Sequence, residues 1–292
     1  MVPSKQATLL LLAALLFWAG RLGAQEADSI AQLNRLRVLQ NQIIQEAVGL
    51  PEANVVDHWK FLLVNSSMTY TSNANLTPGG SSPDVFTTNA LGLGWQPALG
   101  RGFGFATSLL LTDFRYVRMP SLSLSFLDWD VGLNWSGTVA GMDAQFSISQ
   151  TLETTQQDVH QMPTLSSILT VEGILSREIM AGHTLSASID LSATPYSTPW
   201  ENNYASASVS CGYAWNLTKS CSLSLSALAY ETSYFAGPRN LTSSAGATVT
   251  WAVTSWLSVS AFADQTWNFG SNGGSNYTVL DTGMNLSAFL SF

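Results

Sequence analysis

The sequence predicts an all-β fold, an antiparallel up-and-down transmembrane β-barrel of about twelve strands preceded by a short N-terminal helix. The first observation is strict alternation of apolar and polar residues, the period of a strand whose two faces meet different environments. The second is a bulky apolar residue at nearly constant spacing, at Trp95, Trp135, Leu175, Trp215 and Trp251. The third is a shortage of charge. Together they indicate hairpins with one face toward lipid and tryptophans where strands leave the bilayer.

The composition excludes an ordinary soluble protein. Charged residues make up 10% of the chain and hydrophobic residues 46%, whereas a soluble domain carries about 25% charge. Repeats near 40 residues would also suit propeller blades of four short strands each. Here each unit holds two longer strands with no additional turn signal inside it, and a soluble sandwich with so few outer charges would be poorly soluble. The membrane barrel is therefore the better interpretation.

The N-terminus has the features of a secretory signal peptide over residues 1–24. Lys5 is the first charge, an apolar run extends from Ala7 to Gly20, and Leu22-Gly23-Ala24 offers a small-residue cleavage site. The run is shorter than the roughly 20 residues of a membrane-spanning helix. Three parts follow: the signal peptide, a periplasmic amphipathic helix with its linker at 25–57, and a transmembrane barrel at 58–292.

Residues 25–57 have helical rather than strand periodicity. A seam repeats at intervals of three and four residues, formed by Leu33, Leu36, Gln40, Ile43, Ala47 and Leu50. Such a helix could join copies into a homo-oligomer, plug the lumen or rest on the membrane surface. An apolar seam fits poorly against a serine-lined lumen, which argues against the plug. A polar residue at a seam position, Gln40, is the kind that sets oligomer number.

The strands are expected in twelve alternating segments, and an even number places both termini on the periplasmic side. Connections after odd-numbered segments are longer and rich in Asn, Ser, Gly and Pro, while those after even-numbered segments are short. Long outer loops and short periplasmic turns are the usual asymmetry of such barrels. The predicted segments are 59–71, 85–97, 103–117, 124–136, 143–154, 165–177, 184–195, 204–216, 221–233, 243–253, 256–268 and 277–292.

The outward face is predicted from the parity of the tryptophans. Positions of that parity are apolar without interruption by charge in the membrane band, where Lys or Arg would cost about 2–4 kcal/mol. Trp95, Trp135, Trp215 and Trp251 form the expected aromatic girdle at the periplasmic boundary. A second belt, at the outer boundary, is expected from Phe126, Tyr204, Tyr230, Trp267 and Tyr277.

The inward face is predicted to be small, polar and acidic. Serine and glycine dominate it, which favours a water-filled lumen or one filled by another segment. We find no Lys or Arg assigned to the same parity, and the formal net charge of the chain is −8. A ring of carboxylates attracts cations, although the acids could instead only solvate the wall or pair with loop arginines. The expected pore-lining residues are Asp128, Asp130, Glu153, Glu172, Asp190, Asp264 and Asp281.

The C-terminus adds a resemblance to a known class. A final amphipathic strand ends on Phe292, with Leu290, Ala288 and Leu286 at alternate positions before it. This pattern resembles the assembly signal of bacterial outer-membrane β-barrel proteins, a porin-like class, without indicating a particular family. The resemblance implies location in the bacterial outer membrane, contact with outer-membrane lipid, and recognition by the barrel-assembly machinery and periplasmic chaperones during biogenesis.

The expected function is a porin-like channel for passive diffusion of small hydrophilic solutes, with a preference for cations. The alternatives are a closed structural or interaction barrel that binds a partner through its loops or helix, and an outer-membrane lipid hydrolase. The hydrolase would need a serine, histidine and carboxylate together, and His160 with Asp158 and Ser166 or Ser167 is the candidate location. We expect no enzyme, no catalytic residues, no cofactor, no metal and no nucleic-acid partner, because metal-ligand clusters, phosphate-binding loops and basic patches are missing from the sequence.

Overall fold

The structure is a computed structural model that describes residues 60–76, 82–156, 164–198, 200–235, 239–270 and 276–292. The predicted signal peptide and the predicted helix lie outside these residues. In the described part, no helix has the length and hydropathy needed to cross a membrane. Short 3-10 helices occur at Pro120–Leu122 and Trp200–Asn202. The strands are β1 (Lys60–Thr71), β2 (Asp84–Trp95), β3 (Ala98–Gly100), β4 (Phe103–Tyr116), β5 (Leu124–Val139), β6 (Met142–Gln156), β7 (Thr164–Met180), β8 (His183–Thr198), β9 (Tyr204–Asn216), β10 (Cys221–Tyr234), β11 (Arg239–Ala252), β12 (Leu257–Gly270) and β13 (Tyr277–Ser291).

The predicted barrel is confirmed, because the strands close into one antiparallel cylinder. Each long strand pairs with its neighbours in sequence, and β1 closes the cylinder against β13 from Phe61 opposite Ser291 to Thr71 opposite Asp281. The three-residue β3 lies in the connection between β2 and β4, which pair with each other directly. Twelve strands therefore form the wall. We call the end where β1 begins and β13 stops the terminal end, and the opposite end the far end.

The strand boundaries agree with the predicted segments to within a few residues, and the differences have a local cause. The ladder of β5 and β6 continues to Val139 opposite Met142, so that Ala140 and Gly141 alone make the turn. Both have positive φ, 52° and 77°, which is the conformation of the two-residue turn that matches strand twist. This tight turn lengthens both strands at the terminal end beyond the alternating pattern.

The outer face is apolar, as the parity of the tryptophans predicts. Trp95, Trp215 and Trp251 are exposed on it, and Trp135 faces the same side with its ring 6.0 Å from that of Phe146. Outward-facing charged side chains in the described strands lie near strand ends, where the bilayer gives way to water. Arg115 there binds the neighbouring Asp113 at 2.6 Å.

The C-terminal strand joins its apolar face to the outer surface. Leu286, Ala288 and Leu290 alternate with inward-facing side chains, and Leu286 and Leu290 are exposed. The backbone N–H of Phe292 donates to the carbonyl oxygen of Lys60 at 3.0 Å. The last residue of the chain therefore completes the ladder that closes the barrel.

The predicted second aromatic belt is wrong for four of its five residues. Trp267 is on the outer face, but Tyr230 faces inward, and Phe126, Tyr204 and Tyr277 are buried inside the barrel. Alternation shows only that the two faces of a strand differ. It does not show that protein fills the lumen near the far end. Because of this filling, the inner face is as apolar there as the lipid face.

Part of that filling is a structural cap against β13, β2, β4 and β5, which we call the far cap. Inner side chains at the far end of β8 to β10, such as Thr194, Tyr204 and Tyr234, are buried as well. The chain after β1 turns inward, so that Ala74 and Leu76 are buried. Leu76 packs with Tyr277 and Val279 on β13. Ala74 packs with a cluster from β2, β4 and β5, with ring centroids 4.9 Å apart at the shortest aromatic pair. The members of this cluster are Ala74, Phe86, Phe114, Tyr116, Leu124 and Phe126.

A buried carboxylate holds the next loop onto the far cap. Asp84, which is 2% exposed, accepts the backbone N–H of Val85 at 2.7 Å and that of Met119 at 2.9 Å. The backbone N–H of Arg118 lies 2.9 Å from one of its oxygens and 3.2 Å from the other. These charge-assisted bonds fix residues 117–119 over the aromatic cluster.

Replacing an outward-facing residue in the middle of a strand tests the assignment of faces. Ile189→Arg on β8 should lower the free energy of unfolding in lipid vesicles by about 2–4 kcal/mol, because it places a charge in the hydrocarbon. Ser208→Arg on the adjacent strand faces inward opposite Asp190 and is the matched control, with a smaller loss. Denaturant titration of the refolded barrel measures both. Equal losses would contradict the assignment.

Removing the carboxylate of Asp84 tests the anchor of the far cap. Asp84→Ala should lower the free energy of unfolding by about 2–3 kcal/mol, because buried backbone N–H groups lose a charged acceptor. Trypsin should then cleave after Arg118 in the folded barrel. Asp84→Asn keeps one acceptor oxygen and should lose less. Full resistance of the Asp84→Ala barrel to trypsin would show that the loop is held by other contacts.

Candidate functional site

The inner wall of the barrel has two halves that differ in access to water. On β5 to β11 the small inner side chains between the middle and the terminal end are open to solvent. Ser224 and Ser226 are exposed, and Ser188 and Ser208 are half-buried. We call this half the open wall.

The opposite half consists of the inner faces of β12, β13, β1, β2 and β4, and we call it the covered wall. Its side chains are equally short in several places, yet they are buried. Ser287 is 2% exposed and Ser258 is 4% exposed. The side-chain amide of Asn65 donates to Asn285 at 2.6 Å and to Ser287 at 2.7 Å. Water therefore reaches the inner side chains of the open wall but not those of the covered wall.

The seven predicted carboxylates all occupy inward-facing positions, but they differ in burial. Five are half-buried and reach the lumen: Asp128, Asp130, Glu172, Asp190 and Asp264. Glu153 and Asp281 are 3% and 2% exposed. These two belong to packed parts of the inner wall and do not present a free surface to a solute.

Six of these acids form three like-charge pairs across neighbouring strands. Asp128 lies opposite Glu153, Glu172 opposite Asp190, and Asp264 opposite Asp281. Like charges directly opposite each other destabilise a sheet. The arrangement therefore favours any positive charge that comes near these pairs.

Hydroxyl groups on the same wall donate hydrogen bonds to the carboxylates. Thr151 donates to Asp130 at 2.7 Å, Ser192 to Asp190 at 3.0 Å, and Thr266 to Asp264 at 3.1 Å. Each donor occupies one acceptor position of its carboxylate and restricts the rotation of that side chain. The serine and threonine content of the wall thus positions its acids.

The basic side chains of the described strands face away from the lumen. In the residues that the structure describes, no Lys or Arg lies on the inner face of a strand, as the sequence predicts. Lys60, Arg115, Arg177 and Arg239 are on outward positions of strands, and Arg101, Arg118 and Lys219 are in turns or loops.

Sequence reasoning missed three inward-facing acids. Asp143 and Glu178 face inward near the terminal end of β6 and β7, and Asp84 is the buried anchor of the far cap. Asp143 shares the parity of Glu153 on one strand, so the alternation itself could have identified it. The role of Asp84 depends on a folded loop and leaves no sequence signal.

The structure describes only the two serines of the candidate hydrolase site. His160 and Asp158 lie outside the described residues. Ser166 faces inward, whereas Ser167 faces outward and accepts a hydrogen bond from Gln150 at 3.0 Å. The absence of an enzyme activity stays a prediction. In the described ranges no group of His, Cys, Asp and Glu could hold a metal ion.

One described histidine belongs to the outer surface. The ring of His183 stacks on Trp215 with centroids 5.4 Å apart, and its Nδ1 lies 2.6 Å from the hydroxyl oxygen of Tyr213. This group joins the aromatic girdle at the terminal end. Both cysteines, Cys211 and Cys221, are free.

Comparison with known proteins identifies the fold. No family model and no curated protein matches the chain. Among solved structures, an outer membrane channel from Pseudomonas putida F1 is similar over 80% of this chain and 96% of its own, with 11% identity and a TM-score of 0.58. The translocator domain of the autotransporter NalP from Neisseria meningitidis covers 90% of this chain and 98% of its own at 8% identity, with a TM-score of 0.49. Outer membrane phospholipase A from Escherichia coli covers 80% and 93% at 10% identity, with a TM-score of 0.49. The similarity to the Pseudomonas putida channel and the closed twelve-stranded wall together show that the chain has the fold of bacterial outer-membrane β-barrel proteins.

Proposed function

We propose that this protein is an outer-membrane channel for passive diffusion of small hydrophilic solutes, with a preference for cations. The observation that carries the proposal is the open wall. It combines short, water-accessible side chains with half-buried carboxylates and carries no inward-facing base among the described residues. The fold alone hosts several activities, so the proposal depends on this wall and not on the strand count.

The size of the barrel supports a passage. Twelve strands about 4.8 Å apart and tilted by about 40° close into a cylinder about 24 Å across between backbone atoms. Serine and glycine project only a short distance into that space. Beside the open wall, then, space for water and small solutes extends from the terminal end to the middle of the barrel. At the far end, the inner side chains of β8 to β10, such as Thr194, Tyr204 and Tyr234, are buried, and this end sets the narrowest part of the proposed passage.

The proposed preference for cations follows from the negative charge of the open wall. Glu172 and Asp190 lie opposite each other near the middle of β7 and β8, beside Ser208 on β9. Carboxylates in a narrow passage with low-dielectric walls attract cations and repel anions. We assign the greatest influence on selectivity to this pair, since both acids are water-accessible and central.

The orientation follows the usual asymmetry of such barrels. The terminal end has the two-residue turns 140–141 and 181–182, whereas β1 and β2 are joined at the far end by residues 72–83. Short turns face the periplasm in this class. We infer that the terminal end, with both chain termini, faces the periplasm and that the far end faces outward.

A closed structural or interaction barrel is the second candidate. The far cap favours it, because an apolar cluster and an inward-turned loop occupy one side of the far end. In that case the protein would function by binding a partner through the exposed loops at the far end. Conductance separates the two candidates directly.

Planar-bilayer recording of the refolded mature protein under a potassium chloride gradient tests the channel. Discrete conductance steps with a reversal potential on the cation side are expected, because the open wall is acidic. A silent protein that is folded by heat-modifiability on gels would contradict the channel and favour the closed barrel. Steps with a reversal potential on the chloride side would retain the channel and contradict the preference.

Neutralising the central pair tests its role. Glu172→Gln with Asp190→Asn should lower the ratio of cation to chloride permeability by a factor of about two or more, because the passage loses its central negative charge. Glu231→Gln removes an outward-facing acid near the far end of β10 and serves as the control, with an unchanged ratio. If both variants changed the ratio equally, net charge rather than the central pair would set selectivity.

A further inference from the structure

The burial of serines in the covered wall needs an explanation. A serine on the inner wall of a barrel about 24 Å across between backbone atoms stays accessible where water lies beside it. Ser224 and Ser226 show this on the open wall. Ser258, Ser260 and Ser287 have the same short side chain and are at most 4% exposed. These three lie on β12 and β13 between the strand middle and the terminal end. These serines are therefore shielded by neighbouring side chains of the covered wall, by a segment that lies over it, or by both.

The covered wall also has an apolar surface that the open wall lacks. The rings of Phe61 and Phe289 stack with centroids 5.3 Å apart. The ring of Phe61 lies over Gly94 on β2, and the ring of Phe262 lies over Gly283 on β13, where a Cβ atom would overlap each ring. Because these rings lie along the wall over glycines, they form a low apolar surface and leave the lumen beside it free for an occupant.

This apolar surface changes the argument against residues 25–57 as a plug of the lumen, which was based on the sequence alone. An apolar helical seam fits poorly against serine, but the covered wall adds apolar side chains near the terminal end. Its apolar members are Phe61, Leu63, Ala90, Leu110, Phe262 and Phe289.

The chain itself supplies an occupant at the right place. Residues 25–57 immediately precede β1, which begins at Lys60 in the covered wall at the terminal end. In the sequence from Ser29 to Gln45 the only charged residues are Arg35 and Arg37. Apolar residues recur through the same stretch at helical spacing. The segment thus offers both an apolar stripe and positive charge.

The inner wall offers the complementary charge. Asp264 and Asp281 lie opposite each other on β12 and β13 of the covered wall, and Asp281 is buried. Two adjacent carboxylates repel each other, and a positive side chain placed beside them interacts favourably with both. Arginine is the residue best suited to compensate two adjacent carboxylates, since its planar fork has five donors.

The dimensions permit the arrangement. A helix is about 10–12 Å wide with its side chains, and 20 residues of helix are about 30 Å long. A barrel about 24 Å across between backbone atoms, with short side chains on much of its inner wall, has room for one such helix. Residues 50–59 can span up to about 33 Å when extended, enough to lead from the lumen back to the start of β1.

We propose that residues 25–57 lie inside the barrel against the covered wall, with Arg35 and Arg37 beside the Asp264–Asp281 pair. The segment then narrows the lumen to the space along the open wall. This last consequence rests on the proposed channel function, whereas the position of the segment does not.

Thiol accessibility tests the position without any measurement of conduction. In a Cys211→Ser, Cys221→Ser background refolded in lipid vesicles, Ser258→Cys would be treated with a small, polar, uncharged methanethiosulfonate, whose entry does not depend on the charge of the lumen. Deleting residues 25–57 should accelerate its modification about tenfold or more, because the covering segment is gone. Ser226→Cys on the open wall is the control and should react at a similar rate with and without the segment.

Point variants test the charge contact in a chain of full length. Arg35→Gln with Arg37→Gln, or Asp264→Asn with Asp281→Asn, should also accelerate the reaction at Ser258→Cys. Glu172→Gln with Asp190→Asn neutralises a comparable pair on the open wall and should leave that rate unchanged. These variants replace the deletion if the shortened chain does not refold.

The outcomes separate the two proposals. An unchanged rate at Ser258→Cys in both the deletion and the arginine variant would overturn the position of the segment. A deletion that instead changed the oligomeric state in sedimentation, with that rate unchanged, would assign the segment to contacts between copies. A slow reaction at Ser226→Cys in every variant would count against the water-filled passage while leaving the comparison at Ser258→Cys intact.

Discussion

Closure of the hydrogen-bonded wall is the constraint on which the rest of this structure depends. Hydrocarbon offers no partner to a backbone N–H or carbonyl group, so a sheet that crosses it must have no free edge. The pairing of β1 with β13 meets that condition over eleven residue pairs. Once the wall is closed, strand alternation decides everything else, because each side chain must face either lipid or lumen. The apolar exterior and the polar, acidic interior are both consequences of that division.

The alternation explains why the strands and faces could be predicted from the sequence. A strand face that meets lipid excludes charge so strongly that it can be identified from the sequence of that strand alone. Leu223 and Leu225 on β10 are an example. The aromatic residues at the far end misled prediction for the same reason. Phe126 and Tyr277 face a lumen filled with protein, and their apolar surroundings resemble lipid in sequence. Alternation with a period of two residues shows that the two faces of a strand meet different environments. It does not show whether an apolar face meets lipid or buried protein.

Which residues lie opposite each other on neighbouring strands was harder to predict than which face of a strand each residue occupies. The candidate site depends on the residues that lie opposite each other. Each acid could be assigned to the inner wall from its own strand, whereas the opposition of Glu172 and Asp190 depends on register across a turn. The bond from the Met119 N–H to Asp84 joins residues 35 apart and has no periodic signature. The division into open and covered walls is further removed still, because burial of Ser258 but not of Ser226 depends on which groups lie beside each serine.

The difference between the open and covered walls bears on how strand number relates to molecular sieving. In an evenly lined cylinder the circumference sets the exclusion limit for a solute, and barrels can be ranked by their strands. With residues 25–57 against the covered wall, as proposed, β12, β13, β1, β2 and β4 would contribute to the circumference but not to the free cross-section. The exclusion limit of the proposed channel would then be set by a crescent bounded on its outer side by β5 to β11. Such a barrel would sieve solutes as a barrel with fewer strands does.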